Sequence, residues 1–267
     1  MKTWTKRQIF TYIALFLLLA VRFPVADFVA NFARLFGAAA PSSWLLGLGL
    51  VEDSTYYLWD NWSFVLVGLV IIANRSDLYS LNVDAYFVII FFCSGLAYFR
   101  FSFLEPSGWA VALVSVSIIL LFRRGEFKFG APDPSMWRIV SIIGIASFVV
   151  LGWSFIRGSL DAKAIGGAIH ELLTGLPLLV VEEMIFRGML WMFLKDLGRS
   201  TSMIVVFQAI LFWLSHSYFI FTEPIYFWLI IPAAGILFGI LVWKTRSITP
   251  GTLAHLSINS LWGLIWV

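Results

Sequence analysis

The sequence predicts an all-α protein, a polytopic transmembrane bundle of about eight to ten spans. Hydrophobic residues make up 61% of the 267-residue chain, against roughly 45–50% in a typical soluble domain. Charged residues supply 12%, which is too little to cover the surface of a soluble globule. The single cysteine cannot form an internal disulfide. This composition excludes a soluble enzyme, a disordered chain and a disulfide-stapled secreted domain.

Apolar stretches along the chain mark the candidate spans, since a bilayer-crossing helix needs roughly 20 mostly apolar residues. They lie at about 8–29, 56–73, 84–101, 107–122, 137–156, 164–187, 201–221, 225–243 and 250–267. Residues 31–51 are rich in glycine, alanine and proline, so a re-entrant or interfacial segment stays open there. The number of spans therefore also stays open.

Short clusters of Lys and Arg between the apolar stretches predict the orientation through the positive-inside rule. Lys2, Lys6 and Arg7 precede the first stretch. With that end in the cytoplasm, most of the later basic clusters fall on the same side of the membrane. The same distribution explains the formal net charge of +3 without a nucleic-acid partner, and it favours a lipid bilayer as the surrounding medium.

Ionisable residues inside the hydrocarbon are the candidates for function, because each costs roughly 2.5–3.5 kcal/mol on insertion scales. The chain's histidines and its pair of adjacent glutamates all fall in the carboxyl-terminal part: His170, Glu182, Glu183, His216 and His255. In the amino-terminal half, Asp27 and Asp84 are expected near span ends, where water is close. His170 has no assigned role beyond a structural or interfacial one.

The adjacent carboxylates of Glu182 and Glu183 cannot share one role, since neighbouring helical residues point about 100° apart. Glu183 and Arg187 are four residues apart and can pair on one helix face, which lowers the cost of burying both. Glu182 then faces elsewhere, where burial favours a general base. The alternative is a salt bridge that only fixes helix packing.

A helical hairpin around the turn at 197–200 brings Glu182 and His216 to the same depth, because residue 199 is their midpoint. A carboxylate and an imidazole at one level can hold a water molecule between them. Phe212 lies one turn before His216 and is expected to pack beneath its ring.

His255 and Asn259 share one face of the last span through their four-residue spacing, so both can donate hydrogen bonds together. A core histidine that bonds to a backbone carbonyl is the alternative for His255. The depths conflict: Glu182 lies about 25 Å from its turn, but His255 lies only about 9 Å from residue 249. They agree only if the segment 244–250 dips inward.

Three motifs in order, Glu-Glu-x-x-x-Arg, Phe-x-x-x-His and His-x-x-x-Asn, resemble those of the CPBP family of intramembrane proteases. That family includes the CAAX prenyl endopeptidases and bacteriocin-processing and immunity (Abi) relatives. The resemblance covers about 164–267, so the sequence predicts a protease core there, with its motifs on the carboxyl-terminal four spans. Residues 1–163 are expected to form amino-terminal transmembrane helices of unassigned role.

The resemblance implies an intramembrane endopeptidase that hydrolyses a bond near the membrane-anchored or carboxyl-terminal part of a peptide or protein substrate. Glu182 and His216 would activate a water molecule, and His255 and Asn259 would stabilise the oxyanion. The candidate site residues are Glu182, Glu183, Arg187, His216, His255 and Asn259. No cofactor and no metal are expected, although zinc is not excluded, because two histidines, an asparagine and one free carboxylate make a poor zinc set.

The expected location is the cytoplasmic membrane of a bacterium or an archaeon, as a multi-pass protein with a cytoplasmic amino terminus. The runner-up function is a non-proteolytic immunity or scaffold protein that binds a peptide in the polar cavity. A secondary transporter is disfavoured, because such transporters carry broken helices in two corresponding halves and this sequence has no such halves. Whether the substrate is prenylated stays open.

Overall fold

The computed structural model describes residues 4–22, 53–102, 106–156 and 175–265, and these ranges contain helices and no strands. The all-α fold class is therefore confirmed for the described residues. The helices are α1 (Lys6–Arg22), α2 (Asp53–Ala73), α3 (Ala85–Ser102), α4 (Pro106–Arg123), α5 (Ser135–Ile156), α6 (175–196), α7 (Thr201–Leu214), α8 (Phe219–Thr222), α9 (224–245) and α10 (Thr249–Ile265). A 3₁₀ turn, Leu78–Leu81, lies between α2 and α3.

Most predicted spans coincide with a helix whose ends lie within about three residues of the predicted ones. Among the described residues, two helices are long and apolar enough to cross a membrane, Pro106–Arg123 and Tyr226–Thr245. Shorter apolar helices occur at Trp62–Ala73, Ala85–Phe99, Ser135–Val149 and Thr201–Leu214. The number of spans stays a prediction. The ambiguous stretch 31–51 lies outside the described residues.

Two predicted spans have wrong boundaries. The span predicted at 164–187 continues as a helix to Asp196, because the residues after Arg187 stay apolar through Leu194. The span predicted at 201–221 ends as a regular helix at Leu214. There the Ser215 hydroxyl donates to the Phe212 carbonyl at 2.7 Å, the acceptor that the next helical turn would have used.

Helices α6 and α7 form the predicted antiparallel hairpin. Gly198 has φ +74°, a left-handed conformation that glycine adopts at no steric cost. Ser200 then caps α7, since its side chain accepts from the Met203 backbone N–H at 3.4 Å. The turn at 197–200 is therefore confirmed, and it returns the chain alongside α6.

Helix α9 packs closely on α7 through glycines. A Cβ atom on Gly235 would lie 3.2 Å from the Ala209 Cα atom and 3.3 Å from the Phe212 ring. Such an approach of two backbones requires small residues at the contact. Just before Pro232, residues Tyr226–Ile230 form a π-helical turn, because proline lacks the N–H that a regular helical turn would use.

The connection between α9 and α10 dips into the protein, as the depths of the candidate residues require. Thr245, Ser247 and Ile248 are fully buried. Asp84 faces this connection and is also buried, so the expectation that it lies near water is wrong. Asp27 lies outside the described residues.

Outside the helices, the loop before α5 is tied to the same connection. The Asp133 backbone N–H donates to the Thr245 carbonyl at 3.0 Å. The Ser135 backbone N–H donates to the Asp133 carboxylate at 2.8 Å. This hydrogen bond holds the pKa of Asp133 below its ordinary value. The loop therefore starts α5 next to the end of α9.

Candidate active site

The six candidate residues come from three parts of the carboxyl-terminal region. Helix α6 carries Glu182, Glu183 and Arg187, the turn after α7 carries His216, and α10 carries His255 and Asn259. All are buried except Asn259, which is exposed. Within α6, residues Met184–Met189 form a π-helical segment, an irregularity that is frequent at functional sites.

Glu183 is the centre of a buried polar cluster. Its Oε1 atom accepts from Arg187 Nη1 at 3.2 Å and from His255 Nδ1 at 2.9 Å. The side chains of Glu183 and Arg187 are both completely buried. The predicted pairing of these two residues on one helix face is therefore present. The hydrogen bond to His255 joins α6 to α10, and the spacing within one helix could not reveal it.

Arg187 is enclosed by aromatic rings. Its guanidinium carbon lies 4.3 Å from the Phe212 ring centroid and 5.1 Å from that of Phe238. Its Nη2 atom also donates to the Gly235 carbonyl at 3.5 Å. A cation on an aromatic face gains more when both are desolvated. These contacts compensate part of the cost of burying the guanidinium in an apolar surrounding.

His255 lies between the two glutamates. A carboxylate paired with a guanidinium only accepts hydrogen bonds, so Nδ1 of His255 donates to Glu183. The other ring nitrogen, Nε2, lies 3.7 Å from Glu182 Oε2. The ring stacks on Phe238 with a centroid distance of 5.0 Å. The position and the tautomer of His255 are therefore both defined by its neighbours, and the alternative of a bond to a backbone carbonyl is wrong for Nδ1.

The ring of His216 contacts both the backbone carbonyl and the side chain of Phe212. Its Nδ1 atom lies 2.7 Å from the Phe212 carbonyl, which only accepts, so Nδ1 carries the hydrogen. In the neutral ring Nε2 is then the acceptor nitrogen. The Phe212 ring packs on His216 at a centroid distance of 4.6 Å, as predicted. The same ring lies 5.4 Å from His255, so one phenyl group separates the two imidazoles.

A small cavity lies beside His216 and His255. Its lining includes His216, His255, Asn259 and Tyr226. The space that the centre of a water molecule can reach is about 10 Å³, which is room for about one water. The Tyr226 hydroxyl donates to Asn259 Oδ1 at 3.3 Å, so the Asn259 amide N–H₂ is directed away from Tyr226.

Sequence reasoning missed Tyr226 and Phe238. Neither residue belongs to a motif, and each reaches the site from α9 through a tertiary contact.

His170 lies outside the described residues. Within the described ranges, no group of three or more His, Cys, Asp or Glu side chains is arranged to hold a metal ion.

Comparison with known proteins identifies the carboxyl-terminal part. The family model of type II CAAX prenyl endopeptidases of the Rce1-like kind matches residues 166–261. No curated protein and no solved structure matches the chain. The matched stretch contains all six candidate residues. Residues 166–261 are therefore similar to the Rce1-like family. This match confirms the resemblance carried by the motifs and supports a membrane protease of the CAAX type.

Proposed function

We propose that the protein is a metal-independent intramembrane endopeptidase whose general base is Glu182. The observation that carries the proposal is the arrangement of His255, which is bonded to Glu183 and faces Glu182 beside a water-sized cavity. Two imidazoles and an amide line a space for one water, and the Glu182 carboxylate lies next to one of these imidazoles. Hydrolysis of a peptide bond needs groups of these kinds. The match of residues 166–261 to the Rce1-like family supports a CAAX-type protease in general.

The proposed reaction begins with a water molecule in this cavity. Glu182 takes a proton from the water, and the acceptor nitrogen Nε2 of His216 holds the water through its other hydrogen. The water oxygen attacks the carbonyl carbon of the scissile bond. The carbon–nitrogen bond then breaks, and the proton on Glu182 passes to the leaving amine. Atoms and charges balance without a metal or a covalent intermediate.

The developing oxyanion is proposed to lie near Asn259 and His255. Because Tyr226 donates to Oδ1 of Asn259, its Nδ2 is the atom that can donate to the substrate. His255 supplies a second donor when Nε2 also carries a proton, and the protonated ring then lies between Glu183 and Glu182. Two carboxylates beside a cationic ring are electrostatically favourable in a desolvated site.

We further propose a multi-pass protein of the cytoplasmic membrane with its amino terminus in the cytoplasm. In this proposal residues 164–267 are the protease core, and residues 1–163 are transmembrane helices that accompany it. The substrate is a peptide or a membrane-anchored protein that enters from the lipid bilayer. The apolar outer faces of the helices support this placement, with side chains such as Phe148, Leu113 and Ile145 mostly exposed.

The test is hydrolysis of a membrane-anchored peptide by the purified protein in lipid vesicles made with ¹⁸O-labelled water. The proposal predicts two products whose masses add up to the substrate plus one labelled water, with the label in the new carboxyl group. Binding of anchored peptides without any cleavage, across a panel of prenylated and unprenylated sequences, would contradict the proposal. That result would favour the immunity or scaffold function instead.

A further inference from the structure

A segment from the amino-terminal half, residues 78–84, lies beside the candidate site with Leu78, Leu81, Val83 and Asp84 buried. Leu78 and Leu81 have no exposed surface. Asn82 adopts φ 53°, a left-handed conformation that asparagine tolerates in tight turns. The segment lies outside the residues that the family model matches, 166–261. We refer to residues 78–84 as the strap.

The strap contacts α6 directly at the π-helical segment. Asn82 Nδ2 donates to the Arg187 backbone carbonyl at 3.1 Å. One residue further along α6, a Cβ atom on Gly188 would lie 3.3 Å from the Leu81 carbonyl oxygen. The two backbones therefore touch at the part of α6 that carries Arg187, next to Glu183.

The strap also holds the beginning of α10. The Ile248 backbone N–H donates to the Asn82 carbonyl at 2.9 Å. The Asp84 carboxylate accepts from the Thr249 hydroxyl at 2.8 Å and from the Ser247 hydroxyl. Both carboxylate oxygens are used. Since Asp84 is 3% exposed, these bonds form where an unpaired carboxylate would be costly.

Asn82 therefore bonds to α6 through its side chain, and through its carbonyl to Ile248, the residue immediately before α10. His255 lies six residues after Thr249, about 9 Å along a rigid helix. Because the helix is rigid over this distance, a displacement of its first residues would displace His255 by a similar amount. The strap thus bonds on both sides of the hydrogen bond between Glu183 and His255, which joins the two helices, and fixes their relative height from outside that bond.

We propose that Asn82 and Asp84 are positioning residues for the reaction, which set the register of α6 against α10 and thereby hold His255 in reach of both glutamates. This inference rests on the proposed function, since it concerns the same site. It gives the unmatched amino-terminal half a role in activity. It also explains why a buried aspartate occurs where the sequence favoured a solvated span end.

Two variants test the strap without replacing a candidate catalytic residue. Asn82→Gly removes the bond to Arg187 and keeps the left-handed backbone. Thr249→Val removes one bond to Asp84 with little change of shape, and Thr249→Ser restores the hydroxyl. Asn74→Ala is the control, because Asn74 is a fully buried asparagine close to the strap in sequence whose side chain bonds to Thr11 of α1 at 2.9 Å.

The readouts are kcat, KM and the ¹⁵N ring signals of His255, which are tractable because the chain has three histidines. A misplacement of about 1 Å can cost about 100-fold in rate. We expect Asn82→Gly and Thr249→Val to lower kcat by about 10- to 100-fold with KM nearly unchanged, and to shift the Nδ1 signal of His255. Thr249→Ser should recover most of the rate, and Asn74→Ala should lower stability but not kcat.

Rates and ring signals in both variants that match those of Asn74→Ala would overturn the inference, even if both variants fold less stably. The ring signal also separates this inference from the proposed function. If the unaltered protein cleaves no anchored peptide, the function fails, but a shifted His255 signal in Asn82→Gly would still support the strap. An unshifted signal with a normal rate would refute the strap alone.

Discussion

Substitutions at the Glu183–Arg187 pair should have different effects on stability and on activity. Glu183 contributes to stability through its ion pair with Arg187 and to activity through its hydrogen bond to His255. Arg187→Met keeps an apolar stem in the space between Phe212 and Phe238 but leaves the Glu183 carboxylate buried without its partner. Breaking a completely buried pair costs about 3–5 kcal/mol. Loss of the cation–aromatic contact at 4.3 Å adds to this, by about 2 kcal/mol in a desolvated site. The single variant should therefore be severely destabilised.

The double variant Glu183→Leu with Arg187→Met should recover that loss. Replacing a buried ion pair by apolar residues of similar volume is often neutral or stabilising by about 1–4 kcal/mol. Activity should not return, however, because Nδ1 of His255 then has no carboxylate to hold it. The double variant is thus expected to be folded, as stable as the original protein within about 2 kcal/mol, and nearly inactive.

The assay is reversible unfolding in detergent micelles, combined with cleavage rates per folded molecule. The two single variants complete a double-mutant cycle. An Arg187→Met protein within about 1 kcal/mol of the original would refute the reasoning on burial, since an exposed pair has a median value of about 0–1 kcal/mol. A double variant with the original cleavage rate would refute the orienting role of Glu183.

Other outcomes follow from the same geometry. Activity should persist in strong chelator, since the proposed mechanism has no metal step; stoichiometric zinc with loss and restoration of activity would overturn it. Asn259→Ala should lower kcat by roughly 100- to 1000-fold with little change in KM, as expected for an oxyanion donor; an equal loss in binding would argue against that role. Gly235→Ala should cost about 1–3 kcal/mol through overpacking against α7, which thermal unfolding would detect; an unchanged melting temperature would mean that α9 can move.

Local patterns were sufficient to predict much of this molecule. The positions of most helices follow from apolar length, and the Glu183–Arg187 pair follows from helical spacing, because both depend on residues close in sequence. The hairpin follows from the turn at 197–200, which lies midway between residues 182 and 216. Helical spacing also predicts the contact of Phe212 with His216, because the two residues lie one turn apart. Each of these features needs no knowledge of how distant helices pack.

The contacts that complete the site could not be predicted in this way. The bond between Glu183 and His255 joins residues 72 positions apart, and Asp84 meets Thr249 across 165 positions. Helical periodicity says which face a residue occupies but not which helix lies opposite. Asp84 was misjudged for this reason, since a carboxylate near a helix start reads as solvated until its buried partners are known. The end of α7 was misplaced because side chains compete for the Phe212 carbonyl.

The central claim is that Glu182 takes the proton from water, and one substitution tests it most directly. Glu182→Gln is nearly isosteric, so it should fold and bind an anchored peptide while it loses the base. Glu223→Gln, which makes the same change outside the candidate site, is the control. In single-turnover cleavage, we predict no detectable product from Glu182→Gln and the original rate from Glu223→Gln. A Glu182→Gln protein that cleaves at a substantial rate would contradict the account and make Glu183 the next candidate for the base.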